Sequence, residues 1–368
     1  MKSNVLLITN LPSSYFVEYA NELGRYLDLT VVFERDYDLH KKKASGYNFD
    51  SMTFKTLFLT KSKSKKEDIL TFKLRFFLKK QYRKYNRIVF CNPCSPTSIL
   101  AELYCIKKNI PYCVQSEGGF PKNGNGIKEK IKKIIYKNAS LYLTGMLNEN
   151  NYFLHYGAKE NKLRKYNFSS LHESDIQTRV IAEEEKQQLR KKLGINGKRL
   201  VLCVSQVIQR KGIDTLIRAA AEFNDDVAFY VIGGKPDYYY SSLIKDLKIR
   251  NFYFVKRISK DLLSLYYKAA DLFILLTRED VWGLVINEAM AYGLPVITTN
   301  KCLAGVQLIK DLENGFIIDS DDYKLARDKI IFLLNDEKLR KRIAIANLKK
   351  IKNYTIERMA ETIANYLK

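Results

Sequence analysis

Hydrophobic residues in the first half of the chain form short runs separated by amphipathic stretches. Apolar runs at 4–9 and 29–33 flank a stretch between 15 and 27 in which apolar residues recur at helical spacing. The same rhythm of apolar run and amphipathic stretch returns between residues 87 and 117. A strand, helix, strand order is typical of a parallel α/β sheet, so the pattern predicts such a sheet in this half.

The rhythm breaks at 166–180, where turn-forming residues replace the periodic pattern, and then starts again. The second series predicts strands at 199–206, 227–234, 251–257 and 272–277, and the last residues have the spacing of a helix. The pattern predicts two Rossmann-like parallel-sheet domains and a C-terminal helix that packs back on the first domain, with bounds 1–172, 173–353 and 354–368. Ligands bind at the carboxyl ends of parallel strands, and we therefore expect the two domains to face a central cleft.

Length and composition agree with this division. The 368 residues, of which 46% are hydrophobic, suffice for two cores, and no apolar run approaches the ~18 residues of a membrane span. The first apolar run is short and is better interpreted as a strand than as a signal peptide, which predicts a cytoplasmic protein. We therefore expect no disulfides among the six cysteines, and the CNPC sequence at 91–94 is more typical of a loop than of a zinc site.

The chain is strongly basic, with a formal net charge of +23. Residues 55–90 contain twelve Lys and Arg but only two acidic residues, Glu67 and Asp68. Nucleic acid, an anionic membrane surface and a phosphorylated substrate are the partners that such charge favours, and charge alone does not choose among them.

The stretch at 278–300 combines carboxylates with a helix start. Asp280 falls in the loop after the strand 272–277, Gly283 precedes the predicted helix, and Glu288 lies about one turn inside it. The unpaired N–H groups near Gly283, Leu284 and Val285 form an anion site, while carboxylates accept hydrogen bonds from hydroxyl groups. A nucleotide diphosphate sugar has hydroxyl groups on both sides of an anionic centre and fits this layout.

The sequence of this stretch also resembles that of a known family. Residues 280–297, DVWGLVINEAMAYGLPVI, resemble the pattern E-G-F-G-L-x-x-x-E-A-M-A-x-G-x-P-V-I of family 4 glycosyltransferases, which are retaining enzymes of the GT-B fold. Asp280 replaces the first glutamate of that pattern. The resemblance continues at 202–219, where Lys211 aligns with the family's diphosphate-binding lysine and Gln206 replaces an arginine.

The resemblance implies a role for each matching residue. Glu288 would hold ribose hydroxyls, Asp280 would hold hydroxyls of the donor sugar, and Lys211, with Arg210, would neutralise the diphosphate. Residues near Arg257 and Ile258 would line the nucleotide base. The resemblance further implies a hexosyl-type glycosyltransferase that uses a UDP- or GDP-sugar as co-substrate and has no cofactor or metal. Its acceptor would be a glycan or lipid-linked saccharide in surface polysaccharide biosynthesis.

The acceptor is expected on loops that follow strands of the first domain. The candidate residues are Ser13, Asn92, Glu117 and Gly118. A plain turn with a solvated carboxylate explains Glu117 and Gly118 equally well.

Three alternatives stay open at this point. The basic stretch at 55–90 is typical either of a helix on an anionic membrane, which would make the protein peripheral on the inner face of the cell membrane, or of a core helix with a solvated face. A basic nucleic-acid-binding protein is a competing hypothesis, although the cations are spread over both halves and no nucleic-acid recognition motif is present. A sugar phosphorylase or epimerase of the same fold is another.

Overall fold

The structure, a computed structural model, divides into two compact units, Met1–Ser170 with Thr355–Lys368 and Leu171–Tyr354. The first division falls two residues before the predicted boundary, and the second falls one residue after it. The residues that the structure describes are 2–36, 52–60, 70–117, 119–122, 124, 126–145 and 152–368.

The first unit contains a seven-stranded parallel sheet with the strand order β3-β2-β1-β4-β5-β6-β7. Its central strands are apolar and buried because helices cover both faces of such a sheet. The strands are β1 (Asn4–Thr9), β2 (Asp28–Phe33), β3 (Lys55–Phe58), β4 (Arg87–Phe90), β5 (Cys113–Ser116), β6 (Leu141–Thr144) and β7 (Leu163–Lys165).

The helices described in the first unit include one from the far end of the chain. They are α1 (Ser14–Gly24), α2 (Lys73–Gln81), α3 (Pro96–Lys107), α4 (Ile127–Asn138), α5 (Tyr152–His155) and α14 (Ile356–Leu367). Helix α14 packs against α1 and returns the chain to its first unit. Helices α2, α3 and α4 share one hydrophobic core on the same side of the sheet.

The second unit contains a six-stranded parallel sheet with the order β10-β9-β8-β11-β12-β13. Its strands are β8 (Arg199–Val204), β9 (Val227–Ile232), β10 (Phe252–Val255), β11 (Leu272–Leu275), β12 (Val296–Thr299) and β13 (Gly315–Ile318). The chain order reverses between β8 and β11, and ligands of doubly wound sheets bind at the carboxyl ends of the strands at such a point.

The helices described in the second unit alternate with its strands. They are α6 (Glu183–Lys192), α7 (Ile213–Ala220), α8 (Tyr238–Asp246), α9 (Lys260–Ala269), α10 (Leu284–Ala291), α11 (Leu303–Leu308), α12 (Tyr323–Asn335) and α13 (Glu337–Ile351). Within the described ranges of both units, none of the helices has the length and apolar character required to cross a bilayer.

Candidate functional site

The loops after β8 and β11 meet at the carboxyl edge of the second sheet. Strands β8 and β11 are hydrogen-bonded neighbours, and their loops carry Lys211 and Asp280. The Lys211 ammonium group donates a hydrogen bond to Oδ2 of Asp280, and the two side chains are only 11% and 16% exposed. Lys211, the residue predicted to bind the diphosphate, therefore forms an ion pair with Asp280, the residue predicted to bind the sugar. The two residues are 69 positions apart, and the sequence did not indicate this pairing.

A second set of contacts holds these two loops together. Arg210 donates from Nη1 to the carbonyl oxygen of Glu279 at 2.6 Å, while the backbone N–H of Arg278 donates to the carbonyl of Arg210 at 2.8 Å. The guanidinium group of Arg278 also pairs with Asp214 at 2.7 Å and with Asp321 at 2.6 Å, and these carboxylates raise its pKa. Arg278 thus fixes the loop that carries Asp280, a role that the sequence analysis missed.

Two glycines allow the close approach of the backbone here. Gly212 has a φ of +64°, and a Cβ atom at this position would lie 1.9 Å from the carbonyl oxygen of Leu276. Gly283 has a φ of +94°, and a Cβ atom there would lie 2.7 Å from Sγ of Cys302. A side chain at either position would clash with the facing loop and would also require a left-handed backbone conformation. Any larger residue would therefore push the loops apart.

Helix α10 begins directly after Gly283, as the sequence predicts. Its first N–H groups belong to Leu284 and Val285, both half-buried, and have no partner at i−4 within the helix. The indole N–H of Trp282 donates to Oδ1 of Asn287 at 2.9 Å inside the protein, which fixes the turn before the helix. The start of α10 therefore presents ordered donors beside Asp280.

Glu288 lies on α10 and is half-buried. The hydroxyl group of Tyr267, on α9, donates a hydrogen bond to Oε2 of Glu288 at 2.8 Å. Burial raises the pKa of Glu288, and the hydrogen bond from Tyr267 opposes that rise. The ring of Tyr267 stacks on Tyr292 with centroids 5.1 Å apart, which fixes the orientation of its hydroxyl group.

The remaining donor-side candidates lie at the same edge but on the surface. Gln206 follows β8 and is exposed, as is Arg257 after β10, while Ile258 is half-buried. Their positions after the strands match the sequence prediction, and their predicted roles remain predictions.

The first unit gathers some of the predicted acceptor residues. Ser13 follows β1, Asn92 follows β4 and Glu117 follows β5, whereas Gly118 lies outside the described residues. Burial raises the pKa of Glu117, and the pKa of Tyr15 is raised mainly by burial and further by the nearby Glu117 carboxylate. The Ser13 side chain is hydrogen-bonded to Tyr15. Tyr15 therefore connects two predicted residues, although the sequence analysis did not select it.

All six cysteines are free thiols. Within the part of the chain that the structure describes, no three His, Cys, Asp or Glu side chains are grouped so that they could hold a metal ion. Metal-free chemistry remains a prediction.

Comparison with known proteins shows similarity to glycosyltransferases. Residues 185–350 match the family model described as glycosyl transferases group 1. The capsular polysaccharide biosynthesis glycosyltransferase CapM of Staphylococcus aureus is 28% identical over 53% of this chain and 52% of its own length. The N,N'-diacetylbacillosaminyl-diphospho-undecaprenol alpha-1,3-N-acetylgalactosaminyltransferase of Campylobacter jejuni is 24% identical over 58% of this chain and 56% of its own length. The chain thus spans about half the length of these relatives.

Solved structures match both units. HepE of Anabaena in complex with UDP has a TM-score of 0.79 and 17% identity over 100% of this chain and 99% of that chain. A glycosyltransferase of Rickettsia africae has a TM-score of 0.77 and 16% identity over 100% and 98%. Together with the two parallel sheets, these likenesses confirm the predicted GT-B fold with two Rossmann-like domains.

Proposed function

We propose that this chain is a retaining glycosyltransferase that moves a hexosyl group from a UDP- or GDP-sugar to a glycan or lipid-linked saccharide in surface polysaccharide biosynthesis. The observation that carries the proposal is the Lys211–Asp280 pair beside the start of α10, at the strand-order reversal of the second sheet. The nucleic-acid alternative is supported by the net charge of +23 and not by a group of residues within the described ranges.

The chemistry follows from the residues at this edge. As the bond between the sugar carbon and the diphosphate oxygen breaks, negative charge grows on the diphosphate. The Lys211 ammonium group and the first N–H groups of α10 would stabilise that charge, with Arg210 adding a second cation. The sugar carbon then forms its new bond to an acceptor hydroxyl, whose proton is released. Asp280 would orient the sugar, and Glu288 would accept hydrogen bonds from the ribose.

Names of relatives support the donor and acceptor classes in this proposal. Solved HepE complexes contain UDP and UDP-glucose, and a Mycolicibacterium smegmatis relative, 29% identical over 40% of this chain, is a GDP-mannose-dependent mannosyltransferase. The Campylobacter relative is named for an undecaprenol-linked saccharide. These names describe the relatives, and a nucleotide-sugar donor with a lipid-linked acceptor is our proposal for this chain.

A thermal-shift panel of UDP-, GDP-, ADP- and TDP-sugars tests the donor site. Ligand binding to the native state raises the melting temperature, and we expect one nucleotide class to do so. Glu288→Ala should abolish the shift, whereas Glu313→Ala, which changes an exposed glutamate paired with Lys310, should keep it. An unchanged shift in Glu288→Ala would contradict the site. The anomeric configuration of the product, measured by NMR, tests retention separately.

We also propose that the first unit contacts an anionic membrane surface through helices α2 and α4. Leu74 and Leu78 of α2 are buried in the core, whereas Phe72 and Phe76 are 51% and 59% exposed. On α4, Ile127 is 78% exposed. The same helices carry many lysine and arginine residues: Lys73, Arg75, Lys79 and Lys80 on α2, and Lys128, Lys130, Lys132, Lys133 and Lys137 on α4.

This arrangement supports a lipid surface as the partner. Helices α2 and α4 lie in the same layer of the first unit, so their exposed apolar and basic side chains belong to one helical layer. Exposed aromatic and aliphatic residues among cations fit the interface of a bilayer with anionic headgroups. Residues 61–69 of the basic stretch lie outside the described residues.

A further inference from the structure

The segment that follows β12 supports the loop that carries Asp280. The backbone N–H of Asp280 donates to the carbonyl oxygen of Lys301 at 2.8 Å, and the N–H of Leu303 donates to the carbonyl of Asp280 at 3.2 Å. The N–H of Ala304 donates to the carbonyl of Trp282 at 2.8 Å. These three bonds hold the backbone before α10 against the beginning of α11.

Cys302 is the fully buried side chain within this contact. Its Sγ donates to the carbonyl oxygen of Trp282 at 3.2 Å, and the same oxygen accepts from the N–H of Ala304. Burial raises the pKa of Cys302 to about 11, and the Asp280 carboxylate acts in the same direction. The thiol is therefore protonated at neutral pH and is able to donate this hydrogen bond.

The sulfur atom of Cys302 also limits the position of Gly283. A Cβ atom at Gly283 would lie 2.7 Å from Sγ, so the sulfur fills the space directly beside the Gly283 backbone. The first residues of α10 follow at once, and their N–H groups are the proposed phosphate donors. A larger side chain at position 302 would displace the helix start, because a close-packed interior does not take up additional volume without a shift.

We propose that Cys302 is a positioning residue of the donor site. Its thiol holds the Trp282–Gly283 peptide by one hydrogen bond and one steric contact, and thereby sets the place of Asp280 and of the first N–H groups of α10. Cys302 has no exposed surface, so it acts through this loop and not by contact with a ligand. Its effect on nucleotide binding rests on the proposed function, whereas its effect on the loop does not.

Three variants separate the hydrogen bond from the steric contact. Cys302→Ser keeps a donor in a smaller side chain, Cys302→Ala removes the donor, and Cys302→Val places two methyl groups where one sulfur stood. Calorimetry uses UDP or GDP, whichever raises the melting temperature of the unaltered chain more. We expect Cys302→Val to bind it about tenfold more weakly and Cys302→Ala about threefold more weakly, while Cys302→Ser stays within about twofold.

Cys105→Val is the matched control. It makes the same change at a fully buried cysteine, but in α3 of the first unit. Nucleotide affinity should therefore be unchanged in Cys105→Val, even if its melting temperature falls.

Trp282 gives a second measurement that needs no ligand. It is the only tryptophan of the chain and is buried, so tryptophan fluorescence reports on the peptide that Cys302 holds. In folded Cys302→Val we expect the emission to shift to longer wavelength and acrylamide to quench it more strongly. Cys302→Ser and Cys105→Val should match the unaltered chain. If Cys302→Val does not fold, Cys302→Ala is expected to show smaller changes of the same sign in both measurements.

A purely structural role for Cys302 predicts a different result. Its variants would then lower the melting temperature but leave the nucleotide affinity and the Trp282 emission of the folded protein unchanged, which would overturn the proposal. An equal loss of affinity in Cys302→Ser and Cys302→Val, or in Cys105→Val, would also overturn it. Failure of the unaltered chain to bind either nucleotide would instead contradict the proposed function, and the Trp282 emission would then decide the positioning role.

Discussion

The hydroxyl group of Tyr267 lies 2.8 Å from Oε2 of Glu288, although the two residues come from different helices. This bond favours the ionised carboxylate, and burial of Glu288 opposes ionisation. Tyr267 therefore keeps Glu288 able to accept hydrogen bonds from a ligand.

Replacement of Tyr267 by Phe removes that bond and should raise the pKa of Glu288 further. The carboxylate then forms only at higher pH, so nucleotide-sugar affinity should fall about tenfold and its pH dependence should shift upward. Calorimetric titrations from pH 5 to 8 measure both effects. Tyr292→Phe, which preserves the stacked ring, is the control, and an unshifted pH profile in Tyr267→Phe would argue against the positioning role.

The Lys211–Asp280 pair predicts different results for its two members. Asp280→Asn leaves the lysine free to bind phosphate, so affinity for the free nucleotide diphosphate should persist while the additional affinity due to the sugar is lost. Lys211→Met should lower the affinity for both the free nucleotide diphosphate and the sugar nucleotide about tenfold or more. Calorimetry with UDP or GDP and the matching sugar nucleotide distinguishes these outcomes. If both variants lost the same affinity for each ligand, Lys211 and Asp280 would not have separate roles.

Gly212→Ala should strongly destabilise the second unit because the added methyl group meets the Leu276 carbonyl oxygen. We expect the melting temperature to fall by roughly 10 °C. Gly194 provides a matched control, since it has a φ of +66° but nothing within 4 Å of an added Cβ. Gly194→Ala should cost about 3 °C from backbone strain alone. If the melting temperature fell equally in both variants, the structure around Gly212 would have relaxed to accommodate the methyl group.

Glu102 predicts a pH-dependent stability of the first unit. Both carboxylate oxygens are buried, and burial raises the pKa of Glu102 from 4.5 to about 8 against the opposing effect of the Cys94 backbone N–H. The protonated form stabilises the folded state, so this contribution is complete below about pH 4.5 and is lost as the pH rises through about 8.

Glu102→Gln removes that titration and should gain stability over the unaltered chain as the pH rises toward 8. Melting temperatures of both proteins between pH 5 and 9 measure the difference. In the control Glu313→Gln any effect has the opposite sign, because Lys310 lowers the pKa of the exposed Glu313. A constant difference between Glu102→Gln and the unaltered chain would contradict the assignment.

The proposed membrane contact through α2 and α4 predicts that the protein binds vesicles according to their lipid composition. The unaltered protein should sediment with vesicles that contain anionic lipid, and added NaCl should weaken this. The double variant Phe72→Ser/Phe76→Ser should bind about tenfold more weakly. Phe332→Ser changes a comparably exposed phenylalanine of the second unit and is the control. Equal sedimentation with neutral vesicles would remove the proposal.

The sequence predicted the buried strands better than the exposed ones. Strands β1 and β8 are continuous apolar runs, so their pattern was sufficient. Strand β3 has only exposed side chains and β7 spans three residues, so neither leaves a clear periodic signal. These edge strands form because the neighbouring strands offer unpaired backbone groups, which is information from tertiary structure.

The sequence predicted the part of the candidate site that lies in one continuous segment. The start of α10 and the place of Glu288 within it follow from the local sequence, since Gly283 and the apolar run fix the helix. The pairing of Lys211 with Asp280 depends on β8 lying beside β11, which no local pattern specifies. Tyr267 contacts Glu288 from a different helix, and the local sequence of the 278–300 stretch does not indicate that contact.

The return of α14 to the first unit has a consequence for biosynthesis. Its buried residues include Ile356, Met359 and Leu367, and the helix packs against α1. On the ribosome, the unit that emerges first therefore stays unfinished until residue 367 has been translated, while the unit between can mature earlier.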